Sequence, residues 1–172
     1  MSHSLSTMTN QEVAEVIIRQ FGDAVYDFDE PFDLLTLSVK REQLVPLVTY
    51  LKDHKQYQIS FLTDITAIHY PDDPGREFCV VYHLHSLVNN FRVRLKVFLS
   101  EDDLHVPTLT ILYASANWME RETFDYFGIL FDGHPNLTRI LNMEEMDYHP
   151  MRKQYPLEDG TRDDKIDALF GR

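Results

Sequence analysis

The sequence predicts an α+β fold: a mixed or antiparallel sheet with two to three helices on it, continued by an extended irregular C-terminal arm. Three observations predict it. Apolar residues recur at helical intervals in separate segments, a central run alternates apolar with polar side chains, and periodicity fades after Leu141. The expected division is a globular domain over residues 1–141 and an arm over 142–172.

Thr9 followed by Glu12 has the spacing of a capping box, and Val13, Val16, Ile17 and Phe21 then recur at helical intervals up to Gly22. Residues 24–30 and 32–40 read as extended segments around Pro31, the second alternating Leu35, Leu37 and Val39. Residues 43–55 read as a second helix with Leu44, Leu47, Val48 and Leu51 on one face, and Pro46 is tolerated there only in the first turn. Three strands are expected next. Residues 59–70 are rich in β-branched and aromatic side chains and end at the turn-prone Pro71-Asp72-Asp73-Pro74-Gly75. Residues 78–88 and 91–99 flank Asn89-Asn90, a candidate two-residue hairpin turn. In 91–99, Phe91, Val93, Leu95, Val97 and Leu99 alternate with Arg92, Arg94, Lys96 and Phe98, the pattern of an antiparallel strand with one wet face. Ser115 is the expected cap of a third helix that runs through Phe127 and closes at Gly128.

Residues 142–172 carry eight acidic and five basic residues, two prolines and little apolar periodicity before Ile166, Leu169 and Phe170. Alone, such a segment buries too little apolar surface to offset its ordering entropy. Met143, Met146, Tyr148, Met151, Tyr155 and Leu157 are nonetheless adhesive side chains, which favours an arm ordered on partners over a solvated tail.

Composition narrows the function. The 172 residues are 44% hydrophobic and 26% charged, with a formal net charge of −12. Binding to a phosphate backbone or a bare anionic membrane needs clustered positive charge, so both are disfavoured. Cys79 is the only cysteine, which removes intrachain disulfides, cysteine-rich zinc sites and any iron–sulfur cluster held by four thiolates of this chain. No apolar run reaches the roughly 18 residues of a membrane span, and the N-terminus lacks the basic and apolar regions of a secretory signal. A soluble chain in the reducing cytoplasm is expected.

The densest candidate constellation is residues 118–128. On a helix, Glu122 and Asp125 sit three apart, and Arg121 and Asp125 form an i,i+4 pair. Paired carboxylates can perform acid–base chemistry when burial raises one pKa. Carboxylates on adjacent turns of one helix do not flank a scissile bond, and a solvated face with an internal ion pair is the better expectation, with Met119, Thr123, Tyr126 and Phe127 turned inward. His83 and His85 share a strand face that His69 could join from a neighbouring strand as a three-imidazole metal site. Sheet-surface histidines are the simpler expectation. The six glycines form neither a P-loop nor a dinucleotide fingerprint. The residues thus favour an interaction subunit over an enzyme with its own chemistry.

Residues 120–141, ERETFDYFGILFDGHPNLTRIL, resemble the signature of the 30 kDa subunit family of respiratory complex I. Glu120, Arg121, Glu122, Asp125, Tyr126, Phe127, His134, Ile140 and Leu141 meet its pattern, and Gly128, Pro135 and Arg139 lie in the same signature stretch. Thr138 stands where the family carries a basic residue, and Arg139 is next to it. Residues 61–72, FLTDITAIHYPD, resemble a family strand, and 149–157, HPMRKQYPL, resemble its terminal block, with Gln154 in place of Asp and Met146-Asp147-Tyr148 in place of a Trp-x-Gly approach. The resemblance spans roughly residues 10–157.

The resemblance implies a stand-alone structural subunit of the peripheral arm, on the cytoplasmic face of the membrane. Such a subunit binds no cofactor itself, FMN and iron–sulfur clusters being held by partner subunits. It implies packing against the quinone-pocket (49 kDa-type) subunit and the iron–sulfur subunits. The signature residues would form a partner interface, and His149, Pro150, Arg152, Lys153, Tyr155 and Pro156 would make arm contacts. On this reading Glu122 and Asp125 hold Arg139, with His134 as a further partner, through charge-assisted hydrogen bonds of about 1.5–3 kcal/mol each, fixing the direction of the arm. One rival stays close: the equivalent small subunit of a membrane-bound energy-converting hydrogenase or related quinone-reducing complex. The other is a hydrolase or metal enzyme built on Glu122 and Asp125, or on His69, His83 and His85.

Overall fold

The computed structural model describes residues 9–155. Pro156, Leu157, Ile166, Leu169 and Phe170, and with them the second half of the expected arm, lie outside the described residues.

Helix α1 spans Asn10–Phe21 and begins with the expected capping box, in which Thr9 Oγ1 accepts from the Glu12 N–H and Glu12 accepts from the Thr9 N–H. It buries Val13, Ala14 and Ile17, while Val16 stays partly exposed. Strands β1 (Val25–Asp29) and β2 (Leu35–Val39) form an antiparallel hairpin. Helix α2 (Leu44–Asp53) turns Leu44, Leu47, Val48 and Leu51 into the core, with Pro46 in its first turn. Strands β3 (Phe61–His69), β4 (Phe78–Ser86) and β5 (Phe91–Leu99) form an antiparallel meander. Strand β6 (His105–Pro107), helix α3 (Ala116–Phe127) and strand β7 (Leu130–Asp132) complete the elements.

The five long strands form one mixed sheet in the order β1-β2-β5-β4-β3, with β2 parallel to β5 and all other pairs antiparallel. Leu35, Leu37, Val39, Val80, Tyr82, Leu84, Val93, Leu95 and Val97 join residues of all three helices in one hydrophobic cluster. The helices therefore share one face. By strand alternation the other face carries Arg92, Arg94, Lys96, His83 and His85, as the β5 pattern predicted.

Several local expectations need correction. Ser86 pairs with Phe91, so β4 and β5 are joined by four residues, 87–90, and only Asn90 takes a left-handed backbone. Ser115 precedes α3 but has helical dihedrals and makes no side-chain cap. The two-stranded parallel ribbon of β6 and β7 was not expected, because strands of three residues carry no readable periodicity. Thr36 and Ser38 are buried as well as Leu35, Leu37 and Val39, because β2 lies inside the sheet between β1 and β5.

Candidate functional site

The site is built around α3 and the chain that returns to it. Thr123 docks the helix on β3, its hydroxyl donating to the Met119 carbonyl within the helix and to the Ile65 carbonyl of β3 at 3.3 Å. Gly128 ends the helix in the left-handed conformation (φ 79°), its N–H donating to the Phe124 carbonyl at 2.8 Å. The three following carbonyls, which a helix leaves without partners of its own, are all taken by residues 139–152. The Asp125 carbonyl accepts from Arg139 Nη1 at 3.1 Å and from His149 Nδ1 at 2.9 Å, that of Tyr126 accepts from the Met151 N–H at 3.1 Å, and that of Phe127 from Arg152 Nε at 2.8 Å. Two arginines thus sit at the negative end of the helix dipole.

The three acidic residues of α3 have three different environments, so the expected solvated face is not present. Asp125 is fully buried. Its Oδ1 accepts from Arg139 Nη1 at 2.8 Å and from Asn142 Nδ2 at 3.1 Å, and its Oδ2 accepts the backbone N–H groups of Ile140, Leu141 and Asn142 at 3.1, 2.8 and 3.0 Å. Burial alone would raise its pKa. The Asn142 and Leu141 N–H groups, the Asn142 amide and the Arg139 guanidinium outweigh that and hold it well below the usual carboxylate range. With five donors on two oxygens, its acceptor capacity is filled.

Glu120 is also fully buried but has no cationic partner among the described residues. Oε1 accepts from the Leu109 N–H at 2.7 Å and Oε2 from the Thr108 hydroxyl at 2.5 Å. Burial pushes its carboxyl up to about 7, against the lowering effect of those two bonds. Glu122 is exposed beside a shallow cleft lined by Asp64, Thr66, Tyr126, Phe127 and Met151.

Arg121 does not pair with Asp125 despite their spacing. It turns to the returning chain instead, donating to the Thr138 carbonyl at 3.0 Å, the Thr138 hydroxyl at 2.9 Å and the Arg139 carbonyl at 3.3 Å, while its guanidinium lies 4.9 Å from the Trp118 ring centre. Arg139 also donates through Nη2 to the carbonyls of Met146 and Tyr148, at 2.9 and 3.0 Å. His134 is not held by Glu122 or Asp125. Its Nε2 donates to the Asn117 carbonyl at 3.0 Å, and its Nδ1 accepts from the Asn136 N–H. Tyr126 is half-buried, Phe127 buried and Pro135 exposed.

The described part of the arm lies on its own domain. The His149 ring and the Arg152 guanidinium sit over Gly128, Pro150 is half-buried, Arg152 lies 5.0 Å from the centre of the Phe78 ring, and the Lys153 N–H donates to His69 Nδ1 at 2.9 Å. Tyr155 packs by Tyr148, ring centres 4.8 Å apart. The arm's first half is thus anchored by polar bonds to the end of α3, an anchor that apolar periodicity could not reveal.

The imidazoles do not converge. His69 pairs with Phe78 and stacks on it at 4.4 Å on the core-bearing face, whereas His83 and His85 project from the other face. His83 Nε2 accepts from Arg94 Nε at 2.9 Å. Among the described residues no cluster of three His, Cys, Asp or Glu could hold a metal, and no helix is long and apolar enough to cross a membrane. Cys79 is buried, which pushes its thiol up to about 12.

A family profile described as the respiratory-chain NADH dehydrogenase 30 Kd subunit matches residues 37–161. Among similar proteins, the C subunit of NADH-quinone oxidoreductase from Nocardioides sp. is 45% identical over 123 residues, covering 72% of this chain and 49% of its own. Its counterpart from Mycobacteroides abscessus is 44% identical over 137 residues, covering 80% and 60%. The chain thus spans about half the length of the curated relatives it matches. Among solved structures, a trypsin-resistant fragment of Nqo5 superposes with a TM-score of 0.63 at 34% identity, over 76% of this chain and all of the fragment. A chain of an archaeal membrane-bound sulfane sulfur reductase shares the fold, with a TM-score of 0.71 at 21% identity over 87% of each chain.

Proposed function

The chain belongs to the respiratory-chain NADH dehydrogenase 30 kDa subunit family, and from that membership we propose that it is a structural subunit of the peripheral arm of a proton-translocating NADH-quinone oxidoreductase. In that complex electrons pass from NADH through FMN and iron–sulfur clusters to quinone. This chain's share is to position the subunits that carry them. The partners proposed are the quinone-pocket subunit and the iron–sulfur subunits, with the assembly on the cytoplasmic face of the membrane.

The observation that carries this reading is what the signature residues build. Asp125 spends its whole acceptor capacity on Arg139, Asn142 and the backbone of 140–142, and the carbonyls at the end of α3 are capped by Arg139, His149, Met151 and Arg152. A carboxylate so saturated cannot exchange protons with a substrate, but it fixes the path of the chain that follows. Cys79, single and buried with its thiol pushed up to about 12, is a poor ligand for a cluster. Glu122 and Trp118 on α3 and Leu141 and Met143 on the returning chain are exposed and are the surface offered to partners.

Purification of the tagged chain from detergent-solubilised membranes tests the proposal. The quinone-pocket and iron–sulfur subunits are expected in the same fraction by mass spectrometry. A chain recovered alone, or with subunits of an unrelated complex, overturns it.

A further inference from the structure

Far from α3, the β1–β2 hairpin holds an unusual side chain. Phe32 is 99% exposed, and its backbone is left-handed, with φ 56° and ψ 40°. Asp33 follows at φ 61°, and the Leu34 N–H closes the turn on the Pro31 carbonyl at 3.2 Å. Two successive left-handed residues are the backbone of a primed hairpin turn, which favours Asn and Gly. A β-carbon makes that region unfavourable, and a bulky aromatic there is an outlier. Among the described residues nothing buries the Phe32 side chain to compensate.

The turn is also held rigid. Pro31 fixes its entry, and Asn10 at the start of α1 donates through Nδ2 to the Glu30 carboxylate and, at 3.0 Å, to the Asp33 carbonyl. Upstream, Asp27 is left-handed as well, where the β1–β2 register shifts, and Phe28 is exposed. An aromatic displayed on a preorganised turn loses little entropy when it is buried by another surface.

We propose that Phe32 is an anchor that inserts into an apolar pocket of a partner protein whose rim is basic. The charge of the rim follows from the residues around the anchor. Asp27, Asp29, Glu30 and Asp33 lie within five positions of Phe32, and among the described residues only Asp27 has a basic neighbour, Arg76 at 3.5 Å. An anionic lipid surface or a second copy of this chain, at net charge −12, would meet those carboxylates with like charge. The inference rests on the proposal that the chain works inside a multisubunit assembly.

The test places p-benzoyl-phenylalanine at position 32 of the full chain in cells, irradiates the membranes and identifies the linked peptide by mass spectrometry. A link to another subunit, at a peptide flanked by Lys and Arg, in a yield that falls with rising salt, is expected. A link to lipid, to a second copy or to residues 1–8 of the same chain overturns the anchor, as does no link at all.

Phe32→Gly separates anchoring from folding. Glycine accepts the left-handed backbone and removes no packing, so the isolated variant should melt at the parent temperature or above while recovering several-fold less of the linked subunit. A lowered melting temperature with unchanged recovery assigns Phe32 to the fold and overturns the proposal. The linked subunit recovered equally with parent and variant removes the anchor, and iron–sulfur subunits in the same fraction leave the peripheral-arm reading intact. A link to a basic peptide of a subunit outside such a complex does the reverse.

Discussion

Asp125 and Arg139 meet at 2.8 Å with side-chain exposures of 0% and 10%, fourteen residues apart in a chain whose sequence offers Asp125 a nearer arginine. The pair joins the last turn of α3 to the chain that will become the arm. Both groups are largely desolvated; the carboxylate also accepts from the backbone of 140–142, and Arg139 Nη2 donates to the carbonyls of Met146 and Tyr148.

Removing one partner leaves the other buried without compensation. Asp125→Ala should therefore destabilise the chain by about 3–5 kcal/mol, lowering its melting temperature by roughly 10 °C. Glu122→Ala, at an exposed position, should stay within about 0.5 kcal/mol of the parent. The Asp125 contribution has a defined pH window. Because its folded pKa is depressed, the stabilisation is complete above the ordinary value of 3.8 and is lost as pH falls below it. Calorimetric melting of the two variants and the parent between pH 3 and 7 checks magnitude and window together.

Gly128 gives a second prediction. A β-carbon there would stand 2.6 Å from His149 Cδ2 and 2.7 Å from an Arg152 guanidinium nitrogen, on a backbone at φ 79° that non-glycine residues avoid. Gly128→Ala should cost about 1–3 kcal/mol and loosen the His149–Arg152 cap. Limited proteolysis should cut residues 142–155 faster in this variant than in the parent.

Glu120 should produce the opposite pH behaviour from Asp125. Its carboxyl, pushed up to about 7, retains in the folded chain a proton that the unfolded chain releases near 4.5. The folded state binds more protons between those values, so this group's contribution is full below about 4.5 and declines as pH rises towards 7. Glu120→Gln can keep both contacts without the charge, its oxygen accepting from Leu109 and its amide donating to Thr108. The stability difference in favour of the variant should grow from pH 4.5 to 7 and then level off. Parallel profiles would contradict the assignment.

The arm has its own titrating latch. Lys153 donates its N–H to His69 Nδ1, which requires that nitrogen to be unprotonated, and burial lowers the imidazole pKa. A histidine whose folded pKa is depressed stabilises above its ordinary 6.5, and that contribution is lost as pH falls through its folded value. Hydrogen exchange at the Lys153 amide, corrected for intrinsic pH dependence, should show protection falling on acidification below pH 6.5. In His69→Phe the protection should be low throughout.

What the sequence made legible was local. The Thr9–Glu12 box, the alternation of β5 and the stop at Gly128 each depend on residues a few positions apart, and each stands where it was expected. The ion pair did not follow local spacing. Arg121 lies four residues before Asp125, yet Thr138 and Arg139 carbonyls claim it, while both oxygens of the buried Asp125 are already taken by Arg139, Asn142 and the backbone of 140–142. The burial of Glu120 was hidden for a similar reason, its partners being Thr108 and Leu109 on the loop after β6. The one available signal was the uncharged stretch 104–119, whose backbone donors needed an acceptor from elsewhere.

On the proposed function, the Asp125–Arg139 pair aims the arm at neighbouring subunits. Arg139→Lys tests it most directly, since an ammonium keeps the charge but cannot serve the Asp125 carboxylate and the Met146 and Tyr148 carbonyls at once. The measurement is the amount of iron–sulfur subunit recovered per tagged chain from membranes, at a temperature where the isolated variant is fully folded. A several-fold loss relative to the parent is predicted, and recovery equal to the parent would contradict the account.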